Sequence, residues 1–213
     1  MMILTTFLIG FSIISAILLA VTHFNCAEYR GKLLSRTAGF VLLSGLALLQ
    51  YSHYKFLQAD VSYVYSFFYI ILLFSVAPAF YFFSRDVLKV NNSPQLSQPY
   101  IVLHAVPSLL ALFLPRDFAL PLAFFVGTGY VAWLAYSVYT LREQRSRFKL
   151  ELLALGAMFV VASMVLLLGV ALPVISEDLF YSTYATLIGL AFVVALFTVL
   201  SFPNITTDVA DAA

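Results

Sequence analysis

Charged residues are scarce in this sequence. They make up 10% of its 213 residues, whereas hydrophobic residues make up 63%. Ordinary soluble domains are about 25% charged, so the composition excludes that class and is typical of a membrane protein. The single cysteine, Cys26, excludes an internal disulfide framework. The net charge of +1 gives no signal for binding nucleic acid or an acidic substrate.

Reactive groups are also missing from the apolar runs. None of these runs has Asp, Glu, Lys or Arg in its middle, which argues against a proton-coupled pump because such charges mark proton and ion pathways. His23, His53 and His104 each lack a second His or Cys at i+3 or i+4, the spacing of a helical metal site. No Gly-x-Ser-x-Gly nucleophile motif occurs. We therefore expect no metal, no cofactor and no enzymatic activity.

Apolar runs of nearly the required length recur along the whole chain. A helix needs about 20 such residues to cross a bilayer. The runs are 2–24, 37–57, 62–84, 99–114, 118–141, 150–172 and 180–201. They predict an all-α, polytopic membrane protein with seven transmembrane helices. We expect residues 1–203 to form this domain and residues 204–213 to begin a cytoplasmic linker.

The basic residues predict the orientation, because Lys and Arg are retained in cytoplasmic loops. Of the eleven such residues, only Lys55 and Arg116 lie in the second, fourth or sixth loop. The others lie in the first, third and fifth loops: Arg30, Lys32, Arg36, Arg85, Lys89, Arg142, Arg145, Arg147 and Lys149. The N-terminus is therefore predicted outside and the C-terminus in the cytoplasm.

Aromatic polar residues gather at the predicted outer ends of spans two, three and seven. They are Tyr51, His53, Tyr54, Tyr65, Tyr69, Tyr181 and Tyr184. An interfacial aromatic belt explains most of them. Tyr69 lies about two helical turns inside its span, where a tyrosine hydroxyl requires a hydrogen-bond partner. Two interpretations stay open: a belt, or a tyrosine-walled pocket for a small apolar or amphiphilic ligand.

Prolines and one histidine inside the spans are further candidates. His104 lies three residues before Pro107, which frees a backbone carbonyl in span four. It either satisfies that local defect or contributes to ligand binding. Pro78 and Pro107 are expected to kink their helices. Pro78 and Pro203, at the end of span seven, are candidate hinges that pass a shift to the cytoplasmic side.

Small residues at a spacing of four are candidates for close helix contacts, since helices in lipid approach each other there. They are Ser12, Ala16 and Ala20 in span one, Ala123 and Gly127 in span five, and Ala185 and Gly189 in span seven.

Three motifs carry a family resemblance. VAPAFYFFSRDVL contains Pro78, Tyr81 and Arg85 at the end of span three, LHAVPSLL contains His104 and Pro107, and SFPNITTDVADAA follows the last span. In these motifs and in layout, the chain resembles the N-terminal seven-span domain of bacterial membrane-bound transcriptional regulators with a cytoplasmic AraC-type helix-turn-helix domain.

The resemblance implies a sensory domain in the bacterial cytoplasmic (inner) membrane, surrounded by lipid. Its DNA-binding half would lie outside these 213 residues, so DNA would be a partner only through that absent domain. A homodimer is expected, because half-sites in DNA mirror protein symmetry. Pro78, Arg85, Pro107 and Pro203 are then the candidate signalling residues.

A small transporter or channel is the alternative function. It requires interrupted helices and a polar site at mid-membrane. The sequence offers few residues for such a site beyond Gln50 and His104.

We predict that a reporter fused after Ala213 lies in the cytoplasm, because the basic loops require it. Alkaline phosphatase, active outside, and green fluorescent protein, fluorescent inside, are fused there in parallel. The same pair fused after Asp60, in the predicted outer loop, should give the opposite pattern. Phosphatase activity at Ala213 would contradict both the orientation and the resemblance.

Overall fold

The structure is a computed structural model that describes residues 2–22, 33–88, 98–110, 113–140, 160 and 163–201. These residues form seven helices and no strand. The helices are α1 (Met2–Thr22), α2 (Leu33–Ala59), α3 (Phe67–Leu88), α4 (Gln98–Leu110), α5 (Arg116–Thr140), α6 (Ser163–Val174) and α7 (Glu177–Ser201). The last three residues of α6, Leu172–Val174, form a 3₁₀ turn.

Four of the described helices are long and apolar enough to cross a membrane. They are α1, α2, the Phe67–Ser84 part of α3, and α7. The apolar parts of α5 and α6 are shorter, Phe118–Leu134 and Ser163–Val174, and α4 has 13 residues. The all-α prediction is confirmed, and these four helices indicate a multi-pass membrane protein. Seven complete spans stay a prediction.

The helices pack around α2, which contacts α1, α3 and α7. α3 also packs on α4 and α5, and α1 packs on α7. The core between them contains large buried side chains such as Leu49, Phe74 and Phe180. Large apolar side chains such as Phe7 and Phe125 lie exposed on the outside of the bundle, where lipid would cover them.

Small residues allow two of the close contacts that the sequence predicted. A Cβ atom added at Gly189 on α7 would lie 2.7 Å from Leu8 Cβ on α1. A Cβ atom at Gly127 on α5 would lie 2.8 Å from Leu166 Cδ2 on α6. Real Cβ atoms do not approach so closely, so only glycine fits these two positions without a shift of the neighbour.

The helix ends near residues 60–66 follow from local hydrogen bonds. The N–H of Asp60, a residue with φ of 53°, donates to Phe56 O at 2.8 Å and ends α2. Ser66 caps α3, since its Oγ accepts from the Tyr69 N–H at 3.2 Å. The predicted start of span three at residue 62 is therefore wrong by five residues as a helix boundary, because α3 begins at Phe67. Ser176 caps α7 in the same way, with its Oγ 3.3 Å from Leu179 N.

Prolines are accommodated inside the helices. α3 continues through Pro78 and α4 continues through Pro107. Pro78 has no N–H to donate to the carbonyl of Phe74, four residues earlier. Ser108 on α4 supplies the missing donor, with its Oγ 3.2 Å from Phe74 O. A hydroxyl from a neighbouring helix is one of the ways by which membrane helices satisfy such a carbonyl.

Candidate ligand-binding site

Four buried polar side chains join helices α1, α2, α3 and α7. Gln50 Nε2 donates to Ser12 Oγ at 2.9 Å and to the Ala185 carbonyl oxygen at 3.1 Å. His53 Nδ1 lies 2.9 Å from Gln50 Oε1, and His53 Nε2 lies 3.0 Å from the Tyr69 hydroxyl. We call Ser12, Gln50, His53 and Tyr69 the polar network. All four are 0% exposed, so each depends on other protein groups for its hydrogen bonds.

The partners determine the direction of every hydrogen bond in this network. The Ala185 carbonyl can only accept, so the amide nitrogen of Gln50 must face it and Oε1 must face His53. Oε1 also only accepts, so His53 carries a proton on Nδ1. In a neutral ring Nε2 then accepts from the Tyr69 hydroxyl. At the other end of the network, the Ser12 hydroxyl accepts from Gln50 and donates to Ile9 O at 2.8 Å.

Tyr181 holds the α2–α3 connection over this network. Its hydroxyl oxygen accepts from the N–H groups of Tyr63 at 2.9 Å and Val64 at 2.8 Å. The hydroxyl also lies 3.2 Å from Ser62 Oγ. The ring of Tyr181 stacks on Phe56 with centroids 4.1 Å apart. Val64 is 0% exposed, so its N–H would be a buried, unsatisfied donor without the Tyr181 hydroxyl.

The predicted aromatic residues divide into two groups. Tyr51, Tyr54 and Tyr65 are 50%, 38% and 44% exposed, as expected for a belt. The structure brings the other four together in the interior: His53, Tyr69, Tyr181 and Tyr184. The ring centroids of His53 and Tyr184 are 4.8 Å apart, and those of His53 and Tyr181 are 5.5 Å apart. These four fill the space between α2, α3 and α7 with their own rings.

His104 lies in a different cluster, between α3, α4 and α5. Its Nδ1 is 2.6 Å from the Tyr130 hydroxyl. Its ring stacks on Tyr81, with centroids 4.6 Å apart, and meets Phe82 edge-on at 5.0 Å. Trp133 packs on Tyr81 at 4.5 Å. His104 therefore belongs to an aromatic cluster apart from the polar network.

The predicted signalling residues are spread over α3, α4 and the end of the chain. Pro78 and Arg85 lie within α3, and Pro107 lies within α4. Pro203 lies outside the described residues.

An apolar, partly open cavity of about 180 Å³ lies between α2, α3, α5, α6 and α7. Among the described residues, its lining is apolar except for two tyrosines, Tyr130 and Tyr184. The remaining lining residues are Leu42, Leu46, Leu73, Val76, Ala77, Phe80, Ala123, Phe124, Gly127, Val131, Val165, Leu166, Ile188 and Ala191. Tyr184 lies at the boundary, since its ring also packs against His53 of the polar network.

Sequence reasoning identified Tyr184 but not the cavity. The available signal was the set of small residues on different spans, of which Ala123 and Gly127 were interpreted as helix contacts. Gly127 does make such a contact, but Ala77, Ala123 and Ala191 line open space. Which small residues face a gap depends on helices that are far apart in sequence.

Metal binding finds no support in the part of the chain that the structure describes, where no group of three His, Cys, Asp or Glu residues could hold an ion. Comparisons of the chain with protein-family models, with curated proteins and with solved structures found no match.

We predict that Tyr69→Phe lowers the free energy of unfolding by about 1 kcal/mol, because it leaves His53 Nε2 buried without its donor. Tyr54→Phe is the matched control, since that side chain is 38% exposed and a surface change costs less than about 0.5 kcal/mol. Both variants are unfolded with denaturant in the same detergent. Equal stability of the two variants would contradict the buried hydrogen bond.

Proposed function

We propose that this chain is a membrane-embedded sensory domain that binds a small apolar or amphiphilic molecule in the cavity. The cavity itself carries the proposal: it measures about 180 Å³ and has an almost wholly apolar lining. An apolar cavity of about 150 Å³, engineered in another protein, stays dry and binds benzene. A molecule with a single six-membered ring therefore matches this space.

The position of the cavity supports a role in signalling. Its lining residues come from α2, α3 and α7, and the polar network joins the same three helices. A ligand that fits one arrangement of these helices better than another shifts the balance between them by that difference in affinity. Movement of α3 or α7 is the proposed output.

A second contact suits α3 for this relay. The Phe74 carbonyl freed by Pro78 accepts from a hydroxyl of α4, that of Ser108, at 3.2 Å. This bond links α3 to α4 at a position beside the cavity, since Leu73, Val76 and Ala77 line it. Displacement of α3 by a ligand would lengthen or shorten this hydrogen bond.

The proposed destination of the signal is the cytoplasmic side of a bacterial inner membrane. The excess of Lys and Arg in alternate loops supports the orientation. The resemblance of the three motifs supports an AraC-type DNA-binding output and a homodimer. The lack of paired reactive groups in the sequence supports a function other than catalysis.

The alternative, a transporter or channel, would use polar groups that line an open path. Here Gln50 and His53 are 0% exposed and bonded to their neighbours. This geometry favours a binding domain over a transport path.

The test measures binding of para-fluorotoluene to the purified chain in lipid nanodiscs by fluorine NMR, with empty nanodiscs as the blank. Wild-type protein should bind it saturably. Ala77→Leu fills the cavity and should weaken binding about tenfold, because an added side chain of this size costs about 1–3 kcal/mol of overlap with the ligand. Ala132→Leu, on the exposed face of α5, is the matched control and should bind as wild type does.

No saturable binding to the wild type would contradict the proposed function, and so would wild-type affinity in Ala77→Leu. Unfolding of each variant is recorded in the absence of ligand. Ala77→Leu should be at least as stable as wild type, because filling a cavity commonly adds about 0.5–2 kcal/mol.

A further inference from the structure

The hydroxyl of Tyr184 differs from the hydroxyls of three other tyrosines near the network and the cavity. Tyr69 bonds to His53, Tyr181 accepts two backbone N–H groups, and Tyr130 bonds to His104. Tyr184 is only 4% exposed, and among the described residues its hydroxyl has no hydrogen-bond partner. A tyrosine hydroxyl in a protein interior usually has one. The Tyr184 hydroxyl is not fully enclosed by the protein, so a partner in the adjoining open space can reach it.

The surroundings of Tyr184 indicate where such a partner would lie. One side of its ring packs on His53, with centroids 4.8 Å apart, and Phe180 meets it edge-on at 5.4 Å. The side chain also lines the cavity. The cavity is therefore the open space from which a partner can reach it.

Water is a poor partner at this position. A buried water molecule typically needs two to four polar contacts. The cavity offers the Tyr184 hydroxyl and the Tyr130 hydroxyl, and the latter already lies 2.6 Å from His104 Nδ1. The other described side chains of the lining are apolar, so a water molecule at Tyr184 would find few of the contacts that hold a buried water.

We propose that the ligand of this cavity is a compact apolar molecule with a single hydroxyl or carbonyl group, which hydrogen-bonds to Tyr184. A small phenol, alcohol or ketone has this chemistry. The inference rests on the proposed function, because it assumes that the cavity is a binding site. It assigns Tyr184 as the residue that distinguishes such molecules from plain hydrocarbons.

The same contact would report occupancy to the polar network. A ligand that hydrogen-bonds to the Tyr184 hydroxyl would shift the Tyr184 ring, which packs on His53. His53 in turn bonds to both Gln50 and Tyr69. The polar head of the ligand would thus act on α7 and α2 together, whereas its apolar body acts on the cavity wall.

The test compares para-fluorophenol with para-fluorotoluene, which has a methyl group in place of the hydroxyl. Both are measured by fluorine NMR against wild-type protein in nanodiscs, each relative to its partition into empty nanodiscs. Tyr184→Phe should weaken para-fluorophenol about fivefold, the loss expected for one hydrogen bond, and leave para-fluorotoluene unchanged. Tyr54→Phe, outside the cavity, is the control and should bind both as wild type does.

A second measurement needs no variant at Tyr184. Wild-type protein should bind para-fluorophenol more tightly than para-fluorotoluene on the same partition scale. Tyr184→Phe gives up no hydrogen bond to a described residue, so it should unfold as wild type does. Equal affinity of the wild type for both probes would overturn the inference, as would a Tyr184→Phe variant that binds both as wild type does or loses both equally.

The two proposals fail differently. If Ala77→Leu leaves para-fluorotoluene binding unchanged, the cavity is not the binding site and the proposed function itself fails. If Ala77→Leu weakens both probes while Tyr184→Phe affects neither, the cavity stands as the site and only the role of Tyr184 is refuted.

Discussion

The hydrogen bonds of Gln50 are the constraint on which the rest of the bundle depends. In a hydrocarbon environment an unsatisfied polar group costs several kcal/mol, at roughly the scale of a lost hydrogen bond or more. The Gln50 amide nitrogen uses one partner on α1, Ser12, and one on α7, the Ala185 carbonyl, while its oxygen is bound by His53. Through His53 and Tyr69 the same chain of bonds reaches α3. A large displacement of any one of these helices relative to the others would break a buried bond.

This constraint also explains how an empty space can persist beside it. Helices in lipid close on one another where small residues allow, as α1 and α7 do at Gly189. Ala77, Ala123 and Ala191 would permit the same approach, yet they line the cavity. The bonds of the polar network link α2, α3 and α7 in this arrangement, which opposes collapse of the helices into the gap that small side chains leave. The cavity and the network are consequences of one arrangement.

The features that depend on local sequence were predictable, and those that depend on distant contacts were not. The apolar runs located the helices, and the depth of Tyr69 correctly indicated that its hydroxyl needs a partner. The start of α3 was missed because it depends on the Ser66 cap and on Tyr181, more than 100 residues away. Gln50 stood out only as a polar residue, since its partners Ser12 and Ala185 are on other helices. The hydrogen bond from the Ser108 hydroxyl to Phe74 O was not predictable for the same reason, since the two residues lie on different helices.

The position of the proton on the His53 ring tests the hydrogen-bond network most directly. It determines which atom donates and which accepts in the bonds to Gln50 and Tyr69. Nitrogen NMR of the chain with labelled histidine, assigned by loss of the signal in His53→Gln, distinguishes the two ring nitrogens. The account predicts a proton on Nδ1, bound to Gln50, and an unprotonated Nε2 that accepts from Tyr69. A proton on Nε2 with a bare Nδ1, or rapid averaging of the two forms as in a solvated imidazole, would contradict it.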